Sequence, residues 1–489
     1  MGSRSGAWKP TAKQTNVPKT VSGEEAGKVL DKLLLLPKII PDGEVRQLLE
    51  ELHLEESRPC VLNAEVTFWI VLLMGLVPSL AYENLFEAAR RLIGGEKTPG
   101  RSAICQSRAR LGIAPVRLLF ERTCRVAATF QTPGAFYKGW RLMAIDGTIY
   151  TVPDSDANAS AFGYPEGGRS RGAFPQVRKL SLVETGTHLE VALTIKGIRE
   201  KDSGEQSMVP ALLKHIKSGM LLLWDRGFFS YKLYQEFMLR GQILARVSSR
   251  LILQPIEELR DGSYIAKVYP NPSERCKDRY GIRTRVIRYH LNDPQRVGHQ
   301  QEHVLLTTLH DANHYPALEL IELYHQRWQI EEVFDEQKTH QTAKTVVKPT
   351  HLRSKTPLGV MQEIYALAVD HYATRRVMLE AADYAGVAPT DLSFVGCLEV
   401  IRHHLAECPS EAQDWQAWRL ALLQRLGCKG TVKQPRRINP RVVRTKMSKF
   451  KKKRPEHRGI KPVDKDFGAT VEMRAPCCGQ SPSQRAYGY

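Results

Sequence analysis

The sequence contains no Cys-x-x-Cys pair. Its nine cysteines (Cys60, Cys105, Cys124, Cys276, Cys397, Cys408, Cys428, Cys477 and Cys478) are odd in number and scattered. That pattern argues against both a disulfide framework and a zinc ribbon, and for a reducing cytosol. His403, His404 and Cys408 lie close together, yet without a ligand spacing they read as ordinary helix residues. Long apolar runs are missing too. The longest, Val66–Val77, falls short of the about 20 residues a membrane span needs and reads as a buried helix. The N-terminus has no charged-then-apolar export pattern. Acid is in short supply: 52 Asp and Glu stand against 71 Lys and Arg, a net charge of +19 with pI near 9.5. That balance favours a polyanionic partner, nucleic acid before a membrane surface.

What is present is unevenly spread. A length of 489 residues implies more than one domain, and 42% hydrophobic content allows a sizeable core. Lys429–Lys461 alone holds thirteen of the net positive charges, so the rest of the chain is only mildly basic. Residues 1–21 are polar and read as disordered. So does the basic tail, 428–489, where Lys449-Phe450-Lys451-Lys452-Lys453-Arg454 suits non-specific phosphate attraction. Residues 22–130 have a helical pattern, with one apolar stripe at Leu30, Leu33, Leu34 and Leu35 and with Asn63 placed to cap the buried helix. Glu83–Ile93, a Gly-rich turn and Ser102–Gly112 predict two short helices, the second capped by Ser102. With Gln106, Arg108 and Arg110 on the second, they read either as a helix-turn-helix facing DNA or as a plain helical pair.

The texture changes after Tyr137. Arg141–Ile145 reads as a buried strand ended by Asp146-Gly147-Thr148, and Met220–Trp224 as another ended by Asp225-Arg226-Gly227-Phe228. Between them come a loop over residues 153–175, a hairpin of Val177–Glu184 and His188–Ile195, and an amphipathic helix Glu205–Lys217. Ser230 is placed to cap the next helix. Ile243–Val247, Ser263–Tyr269, Thr284–His290 and His303–Leu309 predict an inserted, mostly antiparallel β-subdomain. Its Arg246, Arg250, Lys277, Arg279, Arg283, Arg285 and Arg288 either line DNA or form a solvated face.

Tyr324–Lys338 has no Gly or Pro and reads as helix, with Leu318, Ile321, Tyr324, Trp328, Ile330 and Phe334 at roughly helical spacing. Tyr324, Arg327, Glu331 and Lys338 step by three, four and seven, which returns them to one face. On spacing alone, Arg327 and Glu331 could be an ordinary surface ion pair worth about 0.3–0.5 kcal/mol. Two strands that each end in an Asp change the balance. Three converging carboxylates repel unless cations sit between them, and hard oxygen ligands suit Mg²⁺. Two such ions can activate water or a 3′-hydroxyl against a phosphodiester.

These residues resemble the insertion sequence 4 family of transposases, the DDE type. The likeness rests on the two Asp motifs and on Tyr324, Arg327, Glu331 and Lys338, which keep the family's Tyr-Arg-Glu-Lys spacing of two, three and six intervening residues. It covers roughly residues 25–375, including an N-terminal stretch through Arg108-Ala109-Arg110-Leu111-Gly112. It implies an α/β, ribonuclease H-like mixed sheet flanked by helices, with an inserted β-subdomain, an N-terminal helical domain and a basic tail. The implied units are 22–130 for DNA binding, 135–240 and 312–385 for the catalytic core, 241–311 for the insertion, and 386–427 for C-terminal helices. Asp146, Asp225 and Glu331 would bind two Mg²⁺, replaceable by Mn²⁺. Tyr324, Arg327 and Lys338 would contact transposon-end phosphates, with Arg108 and Arg110 also on DNA. The implied protein is a homodimer on paired double-stranded DNA ends, in the cytoplasm with the nucleoid. It cuts at terminal inverted repeats and joins the 3′ ends to target DNA. The alternatives are a catalytically retired relative and a nuclease without strand transfer. Some members use a Trp in the insertion for a flipped base; here no Trp lies between Trp224 and Trp328, so that aid is either absent or supplied by Tyr264, Tyr269, Tyr280 or Tyr289.

Overall fold

The computed structural model describes residues 44–54, 60–76, 81–86, 99–167, 170–292, 301–342, 352–406, 415–430 and 467–474. The Leu30–Leu35 stripe, most of the first helix of the expected pair, the Lys449–Arg454 cluster and Cys477-Cys478 lie outside the described residues.

Apolar runs without alternation mark strands covered on both faces. Five such strands form the centre: β1 (Trp140–Thr151), β2 (Gln176–Glu184), β3 (Leu189–Gly197), β4 (Met220–Trp224) and β5 (Gln242–Val247). Their order is β3-β2-β1-β4-β5. The first three pair antiparallel, and β4 and β5 add in parallel. This is the ribonuclease H-like mixed sheet that the resemblance implies. Met143, Ile145, Leu222 and Trp224 face one helical layer, and Leu142, Ala144, Leu221 and Leu223 the other.

The inserted strands do not stand apart. They are β6 (Glu257–Glu258), β7 (Tyr264–Val268), β8 (Ile282–Leu291) and β9 (His303–Thr307). β9 pairs with β5, and β8, β7 and β6 continue the same sheet outward. Ile243–Val247, expected at the start of the insertion, is thus a parallel strand beside β4. The chain after the basic stretch also returns: β10 (Val471–Met473) pairs with Tyr289–Leu291 of β8. That corrects the expectation of a wholly disordered tail.

The helices begin with α1 (Glu44–Glu51), α2 (Ala64–Leu76), α3 (Arg101–Leu111) and α4 (Ala114–Thr123). Asn63 caps α2 as expected, its Oδ1 accepting from Val66 N at 2.7 Å. Ser102 is not a cap: α3 starts after Gly100, with no side-chain cap bond. The predicted helix Glu205–Lys217 is a single α-turn, Glu205–Met208, running into a 3₁₀ stretch Val209–His215. Pro210 has no N–H to continue an α ladder. Ser230 caps α5 (Tyr231–Met238), accepting from Leu233 N. Further on come α6 (Ala317–His325), α7 (Gln329–Asp335), α8 (Pro357–Ala385), α9 (Phe394–Ala406) and α10 (Trp415–Gly427). α8 is about 43 Å long by its residue count. It is capped by Thr356, opens on Pro357 and stops at Gly386 with φ 66°. Buried almost throughout, it packs on α2, α4, α10 and β3. Among the described residues no helix is long and apolar enough to cross a membrane.

Candidate active site

β1 does not end at Asp146 but runs on to Thr151, whereas β4 stops at Trp224. In the parallel register Ile145 lies opposite Trp224. Asp146 and Asp225 are therefore the next residues on neighbouring chains, spaced by about 4.8 Å between strands. Alternation along β1 sends Asp146 to the face that α6 and α7 cover. Trp224 is fully buried against Tyr234 and Phe237, its ring 4.6 Å from the Phe237 ring. Burying about 200 Å² of indole stabilises this strand end by about 5 kcal/mol. Beyond it, Asp225 Oδ1 accepts from Arg226 N at 2.7 Å.

The signature stretch is helical throughout but changes pitch. After α6 comes a 3₁₀ turn, Gln326–Trp328, then α7, then a π-helical turn, Glu336–Gln341. A uniform 3.6-residue ridge is thus not what aligns the signature, and the apolar spacing misassigns Leu318 and Trp328, which are 45% and 51% exposed. The four residues nevertheless reach one place. Tyr324 Oη donates to Asp225 Oδ1 at 3.3 Å. Arg327 donates through Nη1 to Asp146 Oδ2 at 3.0 Å and through Nη2 to Glu331 Oε1 at 3.1 Å. Lys338 Nζ donates to Thr148 Oγ1 at 3.1 Å and to Ile149 O at 2.8 Å, on the strand that carries Asp146.

The Arg327 side chain is only 8% exposed, so this is not a surface pair. Burial alone would lower its pKa, but Tyr324, Asp146, Asp225 and Glu331 together drive it up. Burial raises the Asp146 carboxyl to about 6 despite Arg327 and the Gly147 N–H, and Glu205 and Glu331 add to the rise. Burial, then Asp225, pushes the Tyr324 phenol up, so it stays a donor.

Among the described residues no group of three or more His, Cys, Asp or Glu is gathered tightly enough to hold a metal ion. The three acids do not meet around a shared point as expected, because the Arg327 guanidinium stands between Asp146 and Glu331. Carboxylates sharing a pocket repel unless a cation separates them. Here a side-chain cation fills that role, and the hard oxygen donors it bridges are of the kind Mg²⁺ takes.

Other expectations fare differently. Arg108 is 5% exposed and points inward, donating to Gln362, Tyr82, Ser354 and the Gly359 carbonyl at 2.9–3.1 Å, so it is not placed to touch DNA. Arg110 and Gln106 are exposed. Arg285 is also buried, donating to Ser263, Asp261, Leu309 O and Tyr315 O. Of the four tyrosines, Tyr264 and Tyr289 are buried, whereas Tyr280 is 69% exposed. Tyr231, at the start of α5, donates to the Tyr280 carbonyl at 2.6 Å.

A family model described as the transposase DDE domain matches residues 138–368, and one described as the insertion element 4 transposase N-terminal region matches residues 30–121. The chain belongs to the insertion sequence 4 family of DDE transposases. The transposase is 29% identical over 346 residues to the transposase InsG for insertion sequence element IS4 of Escherichia coli K12, covering 68% of this chain and 74% of the relative. It is 28% identical over 142 residues to the putative transposase InsZ of the same organism, covering 29% of this chain and 46% of the relative. Among solved structures it is similar to a piggyBac transposase synaptic complex with hairpin DNA, at 13% identity and a TM-score of 0.40, covering 83% of this chain and 86% of that one. A likeness that loose transfers no residue role.

Proposed function

We propose that this transposase cuts DNA at the terminal inverted repeats of an insertion sequence and joins the freed 3′ ends to target DNA at a site built on Asp146, Asp225 and Glu331. The observation that carries the reading is that three acids, 79 and 106 positions apart along the chain, are each held by a residue of the signature: Asp225 by Tyr324, and Asp146 and Glu331 by Arg327. Asp146, Asp225 and Glu331 would hold two Mg²⁺, which when bound lower the pKa of water or a 3′-hydroxyl and stabilise the leaving oxygen. The chain's own part is positioning and charge. A backbone phosphate that draws the Arg327 guanidinium toward itself leaves Asp146 and Glu331 without their bridge, so DNA entry and cation uptake favour each other. Lys338, anchored beside Thr148, and Tyr324, a neutral donor beside Asp225, hold the phosphate in line. Tyr280 offers an open ring beside α5 for an unstacked base. The protein acts as a homodimer on paired ends.

The test is cleavage of a terminal-repeat duplex in Mg²⁺, with a target plasmid supplied. Asp146→Asn, Asp225→Asn and Glu331→Gln each abolish nicking while a gel shift persists. Nicking by any of these variants would remove that residue from the site. Nicking by the unsubstituted chain without joined products would leave a nuclease only.

A further inference from the structure

Beside the strand that carries Asp146 lies a sealed polar cluster that the reaction as described does not use. In the register of β1 with β2, Asp146 lies opposite Ser181 and Thr148 opposite Lys179, and cross-strand partners share a face. Lys179, Ser181, Glu190 of β3, Tyr150 and Gln337 are all fully buried on that side of the sheet. Lys179 Nζ lies 2.9 Å from Glu190 Oε1 and 3.1 Å from Oε2, and it donates to Gln337 Oε1 at 2.6 Å. Gln337 Nε2 donates in turn to Glu190 Oε2 at 2.8 Å, Ser181 donates to Glu190, and Tyr150 Oη donates to Gln337 Oε1 at 3.3 Å. The Gln337 amide is therefore held at both ends, its oxygen by a cation and its nitrogen by an anion. That fixes which way it faces.

Burial would raise the Glu190 carboxyl, but Lys179 first, then Ser181 and Gln337, hold it below the usual range. An ion pair taken out of water adds little net stability, and apolar groups of the same volume often serve as well or better. Stability therefore does not account for charges in this layer, whereas direction does. Apolar side chains would fill the space without orienting residue 337. The next residue is Lys338, whose ammonium reaches Thr148 Oγ1 and Ile149 O. Lys179 and Lys338 also approach one ring, Tyr150, at 5.8 and 5.5 Å, so the buried cluster and the site meet at a single side chain.

We propose that Lys179, Glu190 and Gln337 are positioning residues for strand cleavage, setting the place of the Lys338 ammonium rather than the stability of the core. The inference rests on the reading of Lys338 as a phosphate contact given above.

The experiment is single-turnover cleavage of a terminal-repeat duplex by the full chain in Mg²⁺, with duplex affinity and unfolding temperature measured alongside. Lys179→Met or Glu190→Met alone would leave a buried charge unpaired and could unfold the chain. Two other variants avoid this. Gln337→Met keeps the ion pair and removes its link to the π-turn. Lys179→Met, Ser181→Ala, Glu190→Met and Gln337→Met together make the layer apolar. Each is expected to lower the cleavage rate of the bound duplex roughly 10- to 100-fold while affinity is kept. The apolar variant should melt at the same temperature or higher. Neither should lower the rate further in a Lys338→Gln background, because residues that act through one group are not additive with its loss. If the variants cleave at the full rate once bound, or if their losses recur undiminished in the Lys338→Gln background, the positioning role is overturned. If Lys338→Gln itself cleaves as the unsubstituted chain does, or if that chain cuts no duplex, the reading of the site fails and this inference falls with it.

Discussion

Arg108 and Arg110 sit two positions apart on α3 and meet opposite surroundings. Arg108 is enclosed by four acceptors, so Arg108→Ala strands buried polar groups on α8 and in the loop before it. The expected cost is about 3 kcal/mol, seen as a lower denaturation midpoint, with DNA affinity unchanged under conditions where the variant is folded. Arg110 is exposed, so Arg110→Ala should shift stability by no more than about 0.5 kcal/mol. Any effect it has should be on DNA binding and should shrink as salt rises. Spacing along a helix predicts which residues share a face, but not which face meets solvent, and that is why both arginines read alike in the sequence. The acids are more legible. A carboxylate directly after a buried apolar strand has few bland explanations when the pattern occurs twice.

At the scale of the element, the π-turn Glu336–Gln341 is what aims Lys338. Three of its side chains are buried anchors. Gln337 donates to Glu190 and accepts from Lys179, and Gln341 donates to the carbonyls of Gly75 and Leu367. Glu336 accepts from Arg375, with Nε at 2.9 Å, and lies 2.8 Å from His371 Nε2 and 3.1 Å from His188 Nδ1. With the inward residues fixed, Lys338 is left facing Thr148. π-turns of this kind recur at functional sites. Burial would raise the Glu336 carboxyl, but Arg375 first and then His188 and His371 hold it well below the usual range. The sign follows: a depressed pKa stabilises the fold above the unfolded value, about 4.3, and that contribution disappears as pH falls below it. Glu336→Gln should therefore destabilise by about 3–5 kcal/mol at neutral pH, since it leaves Arg375 buried without a counter-ion. It should also flatten the acid limb of a stability-against-pH curve below about pH 4.3. An unchanged acid limb would locate the titrating group elsewhere. Nothing in the residue types of Glu336–Gln341 announces the change of pitch. It arises from partners on β2, β3 and α8 that are distant in sequence.

At the scale of the whole molecule, one sheet joins the strands that lead to Asp146 and Asp225, the insertion and the last described segment. The central strands are legible in the sequence as apolar runs, whereas their order and the sheet's extension are not. Alternating strands predict a β-structure but say nothing about which edge it joins. The return at residues 467–474 is hidden by the basic composition before it, yet Phe467 stacks edge-on against His325 at 4.0 Å, directly beside Tyr324 of the signature. Truncation after residue 430 would therefore remove a brace on the signature helix along with the basic stretch. The two effects are separated by substitution instead. Replacing Lys449, Lys451, Lys452, Lys453 and Arg454 with Gln keeps β10 and Phe467 in place and removes five positive charges. Non-specific DNA affinity should then fall, and the slope of log affinity against log salt should flatten by about 0.9 for each phosphate that is no longer neutralised. The unfolding temperature should stay constant. Truncation after residue 430 should lower it, because His290, Asn292 and Arg288 lose their partners Glu472, Thr470 and Arg474. If the five substitutions leave the salt slope unchanged, the phosphate attraction resides in the folded part of the chain, where Arg110 and the exposed Arg250 and Lys277 of the insertion are the next positions to substitute.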